Sequence, residues 1–353
     1  MTVPDRIPVT LLTGFLGAGK TTLLNHLLRQ PALAGTVVLM NEFGEVPIDH
    51  LLVEKIAEDV VLLESGCICC AVRGDLARAL KDIFMRRLRR QLPALSRVVI
   101  ETTGLADPAP VIFTLMQDFF IAERYRLDGV VTAVDALFGA AQLAARPEAV
   151  KQAAMADRLL ITKCDQAAPD AVAALADALV ALNPGAAQFR VAGGELDAGA
   201  VLDCGLWNPE TKHADVGRWL ADEAVAAADR RNRYAPGRDR AGAPVRHDAA
   251  THAFVVRIEA PVAWGDFSTA LDLLQGLKGD HLLRVKGIVN VRGEDVPRVV
   301  QCVHHLRYPD AALPAWPDAD RSTRLVFIVR DLQRDVVDRA FACLCGEVPG
   351  FVA

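Results

Sequence analysis

The sequence predicts an α/β protein: a P-loop NTPase domain built on a mostly parallel sheet, followed by a smaller α+β C-terminal domain. Three observations lead there. Apolar runs of strand length alternate with helical stretches through the first two hundred residues, the rhythm of a sheet covered on both faces. The first run feeds directly into Gly14, Gly17, Ala18, Gly19, Lys20, Thr21 and Thr22, which match G-x-x-x-x-G-K-[ST] at every fixed position. From about residue 224 to 250 the chain turns Arg-, Pro- and Gly-rich, and beyond it strands and helices no longer alternate regularly. The domains are therefore expected at 1–223 and 251–353, joined by a linker at 224–250.

In chain order, strands are expected at Val9–Leu12, Thr36–Met40, Val60–Leu63, Val98–Ile100, Gly129–Val134 and Leu159–Thr162, with an Ala-rich covering helix at Ala171–Leu182. After the linker come a strand at Thr251–Ile258, a helix at Phe267–Leu277 and strands at Leu282–Val291, Arg298–His305 and Arg324–Val329. A helix at Leu332–Cys345 closes the order. His304 and His305 are expected side by side on a strand, pointing to opposite faces and so making a poor chelate.

Composition narrows the function. The chain has 353 residues, 52% of them hydrophobic and 24% charged, enough for one larger and one smaller core. A net charge of −5 with only 6% aromatic residues argues against nucleic-acid binding. No apolar run is long enough to cross a bilayer, and the N-terminal apolar stretch is a strand rather than a signal peptide, so a cytoplasmic protein is expected. The eight cysteines are then read as reduced. Cys164, Cys204 and Cys302 are isolated packing residues, while Cys343 and Cys345 lie about 200° apart around a helix.

The P-loop needs its residue types for physical reasons. Glycines let the backbone curl with N–H groups inward toward phosphate, at the positive end of a helix. Lys20 adds a mobile charge for the β- and γ-phosphates, and the Thr21 hydroxyl is placed for Mg²⁺. Glu101 ends an apolar strand where the outer-shell Mg²⁺ carboxylate belongs, with Gly104 just beyond it offering a backbone N–H to the γ-phosphate. Thr162, Lys163 and Asp165 end a later strand. A carboxylate there accepts from guanine N1 and N2, and adenine, lacking both donors, would leave Asp165 buried and unpaired. Asn41 to Asp49 should lie over the phosphates, and there Glu42 and Asp49 are candidates for orienting the attacking water. Cys67, Cys69 and Cys70 form a tight turn whose thiolates suit Zn²⁺ or another soft ion, with Glu45 or a partner's ligand completing the set. A P-loop kinase or ATPase with structural cysteines, or a passive metal buffer, would use the same residues differently.

Together Gly14 to Thr22, Asn41 to Glu45, Gly66 to Cys70, Glu101 to Pro108 and Thr162 to Asp165 resemble the CobW-type metallochaperone GTPases, relatives of the urease and hydrogenase nickel-insertion GTPases. The stretches Leu283 to Gly287 and Val300 to His304 resemble that family's C-terminal domain. The resemblance implies weak GTP hydrolysis with Mg²⁺, coupled to handing Zn²⁺ or Co²⁺ to a metal-requiring client protein, and it leaves a homodimer open. It carries over Lys20, Thr21, Glu101, Lys163 and Asp165 for nucleotide and Mg²⁺, and Cys67, Cys69 and Cys70 for cargo metal. Two departures stand out. Met40 and Asp118 occupy places where relatives carry an acidic residue and a histidine, and the junction has only His213, His247 and His252 in place of a histidine-rich loop.

Overall fold

The computed structural model describes residues 6–41, 61–65, 72–92, 95–202, 204 and 251–345. The expected linker at 224–250 lies outside them, as do Glu42, Glu45, Asp49, Cys67, Cys69 and Cys70. By internal packing the chain divides into two compact units, residues 1–176 with 188–206 and residues 177–187 with 207–353.

The elements through residue 190 are β1 (Ile7–Gly14), α1 (Lys20–Leu27), β2 (Thr36–Asn41), β3 (Val61–Ser65), α2 (Val72–Leu88), β4 (Arg97–Glu101), α3 (Ala109–Gln117), α4 (Phe119–Arg124), β5 (Tyr125–Asp135), α5 (Gly139–Ala145), α6 (Pro147–Met155), β6 (Arg158–Thr162), α7 (Pro169–Leu182) and β7 (Ala187–Arg190). They form a seven-stranded sheet in the order β3-β2-β4-β1-β5-β6-β7. The first six strands of that order pair in parallel, so Gly14, Glu101, Asp135 and Thr162 all end at one edge. The order reverses at β1, which lies between β4 and β5, and such a switch point opens a crevice at the strand ends. Leu23, Leu24 and Leu27 of α1 pack into a core cluster with Leu12, Val38, Val99, Val131 and Leu160. Burying each such leucine contributes about 1.5–3 kcal/mol, which holds the helix behind the P-loop flat on the sheet.

A charged group sits inside the same sheet, toward the opposite edge. Asp128 of β5 is buried and pairs with Arg97 of β4, whose Nη1 also donates to Thr10 Oγ1 of β1 at 3.1 Å. Thr10 Oγ1 donates in turn to Asp128 Oδ2 at 3.1 Å, and Arg126 Nη1 reaches Asp128 Oδ1 at 3.2 Å. Three central strands are thus tied through one carboxylate.

The second unit holds β8 (Thr251–Ile258), α8 (Trp264–Lys278), β9 (Leu282–Val289), β10 (Arg298–Val303), β11 (Leu306–Arg307), β12 (Ala311–Ala312), β13 (Thr323–Arg330) and α9 (Arg334–Cys345). Its antiparallel sheet runs β11-β10-β9-β13-β8, with β12 on β10. Side chains of both helices share one core with the sheet, where Phe254 stacks on Phe327 and Phe267 on Phe341 at centroid distances of 5.6 and 5.5 Å. Gly287 is required by the close approach of β13, since a Cβ there would stand 2.0 Å from the Arg324 carbonyl oxygen.

His304 and His305 are not on a strand as expected. β10 stops at Val303 and the two histidines form the turn into β11, His304 in the left-handed region at φ 51°. Their Nδ1 atoms meet the carbonyls of Gly279 and Gln275 at 3.0 and 2.8 Å, so both rings serve the C-terminal end of α8, where unsatisfied carbonyls attract donors. Of the isolated cysteines, Cys204 and Cys302 are buried, and burial pushes the Cys302 thiol up to about 12; on α9 burial likewise pushes the Cys345 thiol up to about 11, so both thiols stay protonated at neutral pH.

Candidate nucleotide site

The loop between β1 and α1 has the backbone that its glycines predict. Gly14 lies at φ 142°, and a Cβ there would fall 2.3 Å from the Ala133 carbonyl oxygen of β5. Gly19 caps α1 in the left-handed conformation, at φ 81°. Lys20 is 9% exposed, and its ammonium donates to the Gly14 carbonyl at 2.9 Å and the Phe15 carbonyl at 3.4 Å. The charge is therefore held inside the curl of the loop.

The metal side of the site comes from β4 and its continuation. Thr21 Oγ1 donates to Glu101 Oε1 at 3.2 Å, joining the two residues that the sequence assigns to Mg²⁺. A hydroxyl and a carboxylate are hard oxygen donors of the kind Mg²⁺ takes, and both stand at the strand edge beside the P-loop, so the donor set fits that ion. Thr102 Oγ1 donates to Thr13 Oγ1 at 2.8 Å, pinning the end of β4 to the end of β1. Gly104 then passes so close to the P-loop that a Cβ on it would lie 2.5 Å from Leu16 N.

The base side is assembled from three strand ends. Thr162 is the last residue of β6. Its Oγ1 is 2.7 Å from the Ala18 carbonyl, tying the end of β6 to the P-loop. Lys163 sits at φ 57°, an uncommon conformation for a residue with a side chain, and its Nζ pairs at 2.8 Å with the buried Asp135 carboxylate at the end of β5. Asp165 is exposed in the structure, contrary to the burial that sequence reasoning gave it. The Gly193 N–H, 3.1 Å from Asp165 Oδ1, holds its carboxyl below the usual carboxylate range and fixes it as an acceptor. Gly193 and Gly194, at φ 59° and 83°, make the turn after β7, closed by Glu195 N donating to the Ala192 carbonyl at 2.9 Å. A Cβ on Gly194 would stand 3.0 Å from Thr22 Cγ2, so this turn packs on the first turn of α1.

Asp135, Gly193 and Gly194 were not found from sequence. The Gly-Gly pair was a turn signal, but nothing local placed it beside Asp165. The two departures also have structural roles here: Met40 packs in the core cluster under α1, and Asp118 caps α4 through Ile121 N at 3.2 Å while pairing with Lys81 at 2.8 Å. Among the described residues no group of three or more His, Cys, Asp and Glu is placed to hold a metal ion.

A P-loop, a Thr–Glu pair for Mg²⁺ and a carboxylate-bearing base motif at one sheet edge define a P-loop nucleotide-binding domain. The family model "CobW/HypB/UreG, nucleotide-binding domain" matches residues 8–190, and that of the cobalamin synthesis protein cobW C-terminal domain matches 251–344. The chain belongs to the CobW/HypB/UreG family of P-loop GTPases. It is 34% identical over 338 residues to the zinc chaperone YjiA of Escherichia coli, covering 96% of this chain and 98% of that protein. It is 29% identical over 378 residues to the zinc chaperone CobW of Pseudomonas aeruginosa, covering 94% and 90%. The crystal structure of Zn(II)-bound YjiA GTPase from E. coli superposes with a TM-score of 0.72 at 28% identity, over 96% of this chain and 99% of that one.

Proposed function

We propose that this chain is a GTP-hydrolysing zinc chaperone that binds Zn²⁺ and couples the nucleotide cycle to its delivery to a metal-requiring client protein. The observation that carries the nucleotide half is the Thr21–Glu101 hydrogen bond beside Lys20, which brings phosphate and Mg²⁺ groups together at one strand edge. The relatives named above, zinc chaperones along nearly their whole length, favour zinc over cobalt as cargo. Thr21 and Glu101 would hold Mg²⁺, which would supply positive charge to offset that of the phosphates. Lys20 neutralises phosphate charge from the other side, the amides of the P-loop curl orient the phosphates, and the Gly104 N–H faces the γ-phosphate. Asp165 accepts from the guanine edge while the Lys163 stem covers the ring. Glu42 and Asp49 are assigned to the attacking water, and Cys67, Cys69, Cys70 and Glu45 to the cargo ion. With GTP as its substrate, the chain is proposed to work in the cytoplasm.

Guanine selection is tested by Asp165→Asn, which swaps an acceptor for a donor. The variant is expected to lose GTP affinity by roughly ten- to a hundredfold and to gain affinity for xanthosine triphosphate. Unaltered guanine preference would move the base site elsewhere.

Cargo coupling is tested by titrating Zn²⁺ and Co²⁺ into protein without nucleotide, with GDP and with a non-hydrolysable GTP analogue, Cys69→Ser serving as control. Zinc is expected to bind about 5- to 150-fold tighter in the GTP-analogue state, and by linkage zinc raises GTP affinity by the same factor. Equal affinity in all three states would make the thiols a passive metal store.

A further inference from the structure

We infer that Gln152 is a positioning residue for the γ-phosphate side of the site, an assignment that rests on the GTPase function proposed above. Gln152 lies on α6, away from every motif that marks the nucleotide site, and is 1% exposed. Its Nε2 donates to the Gly104 carbonyl at 3.1 Å and to the Ala106 carbonyl at 3.0 Å, which uses both amide hydrogens on the loop that follows Glu101. The orientation of the carboxamide is fixed by this pair, because a flipped amide would set its oxygen against two carbonyl oxygens. The preceding residue grips the same loop: Lys151 Nζ stands 2.5 Å from Asp107 Oδ2, and Asp107 Oδ1 accepts from Ala109 N at the start of α3.

The geometry gives this clamp a direction. Gly104 is pressed between two bodies, the Leu16 backbone of the P-loop on one side and the Gln152 amide on the other. With its carbonyl held by α6, the peptide plane that carries the Leu105 N–H is fixed, which anchors Gly104 on the side away from its own N–H. Gln152 also lines a cavity of about 10 Å³ with Phe15, Thr132, Gly139 and Gln142, and Met is the unbranched apolar residue nearest to it in length.

The test compares the unmodified chain with Gln152→Met, which removes both donors, and Gln152→Glu, which places a carboxylate against the two carbonyls. Affinities for GDP and for a non-hydrolysable GTP analogue, kcat, KM and thermal melting are measured for each. Gln152→Met is expected to keep GDP affinity, to weaken binding of the GTP analogue with a matching rise in KM, and to lower kcat by about 10- to 100-fold. Gln152→Glu is expected to show the same loss at high pH and partial recovery as the pH falls, since a protonated carboxyl regains one donor and burial raises its pKa. Equal weakening of GDP and the GTP analogue together with lowered melting would mark Gln152 as structural only. Unchanged kcat in folded Gln152→Met would overturn the assignment while leaving the GTPase function standing; absence of GTP hydrolysis by the unmodified chain would overturn both.

Discussion

Lys20→Ala is expected to weaken GTP binding by a hundredfold or more, roughly the effect of losing a charge-assisted contact in a semi-enclosed site, while leaving the fold intact. The structure explains why the effect is concentrated in phosphate affinity. The lysine ammonium donates to carbonyls of its own loop, Gly14 and Phe15. The loop itself is set by Gly14 and Gly19 and by the packing of α1 through Leu23, Leu24 and Leu27, none of which the substitution touches. Guanosine should bind the variant as it binds the parent chain, because the Asp165 carboxylate and its Gly193 donor are unaltered. Fluorescent-nucleotide titration with melting as a control checks this. Full GTP affinity in a folded variant would refute the P-loop assignment.

Asp128→Ala is expected to destabilise the protein by about 3–5 kcal/mol, the usual outcome of deleting one partner of a buried ion pair. The cost is the charge left behind: Arg97 loses its carboxylate, and Thr10 loses its acceptor. Urea denaturation measures the loss. Nucleotide affinity of the remaining folded fraction should hold, since Asp128 lies near the N-terminal end of β5 and the site lies at its C-terminal end. A cost under about 1 kcal/mol would show the group to be dispensable. The same buried group accounts for a misjudged strand. Only Gly129–Val134 reads as apolar, whereas β5 begins at Tyr125 and carries Arg126 and Asp128 inside it. Charges inside a strand are legible only with their partners, and here those come from β1 and β4.

Elsewhere legibility followed how local the cause was. β8 spans Thr251–Ile258 as its apolar run predicts, because every second side chain faces one core. β7 escaped notice: Ala187–Arg190 is an edge strand, half exposed, with no periodic pattern to betray it. The histidine turn after β10 has neither Gly nor Pro to announce it. At the site, the P-loop could be read because a contiguous stretch builds it. Asp135, Gln152 and the Gly193–Gly194 turn reach it through topology, from elements between 31 and 174 positions away from Gly104 or Lys20 along the chain. Thr162 shows the opposite limit. Its place was evident, but only the structure reveals that its hydroxyl bonds to the P-loop.

The bond from Thr162 Oγ1 to the Ala18 carbonyl, with Gly194 seated against Thr22, has a consequence for how a nucleotide is measured. The segment assigned to phosphate and the segment assigned to the base are stapled to each other through these contacts, so their separation is fixed. Such a pair works as a calliper. A molecule with the correct headgroup but a tail too short to span the gap can engage one jaw only, and forfeits the joint affinity that comes from filling both without rearrangement.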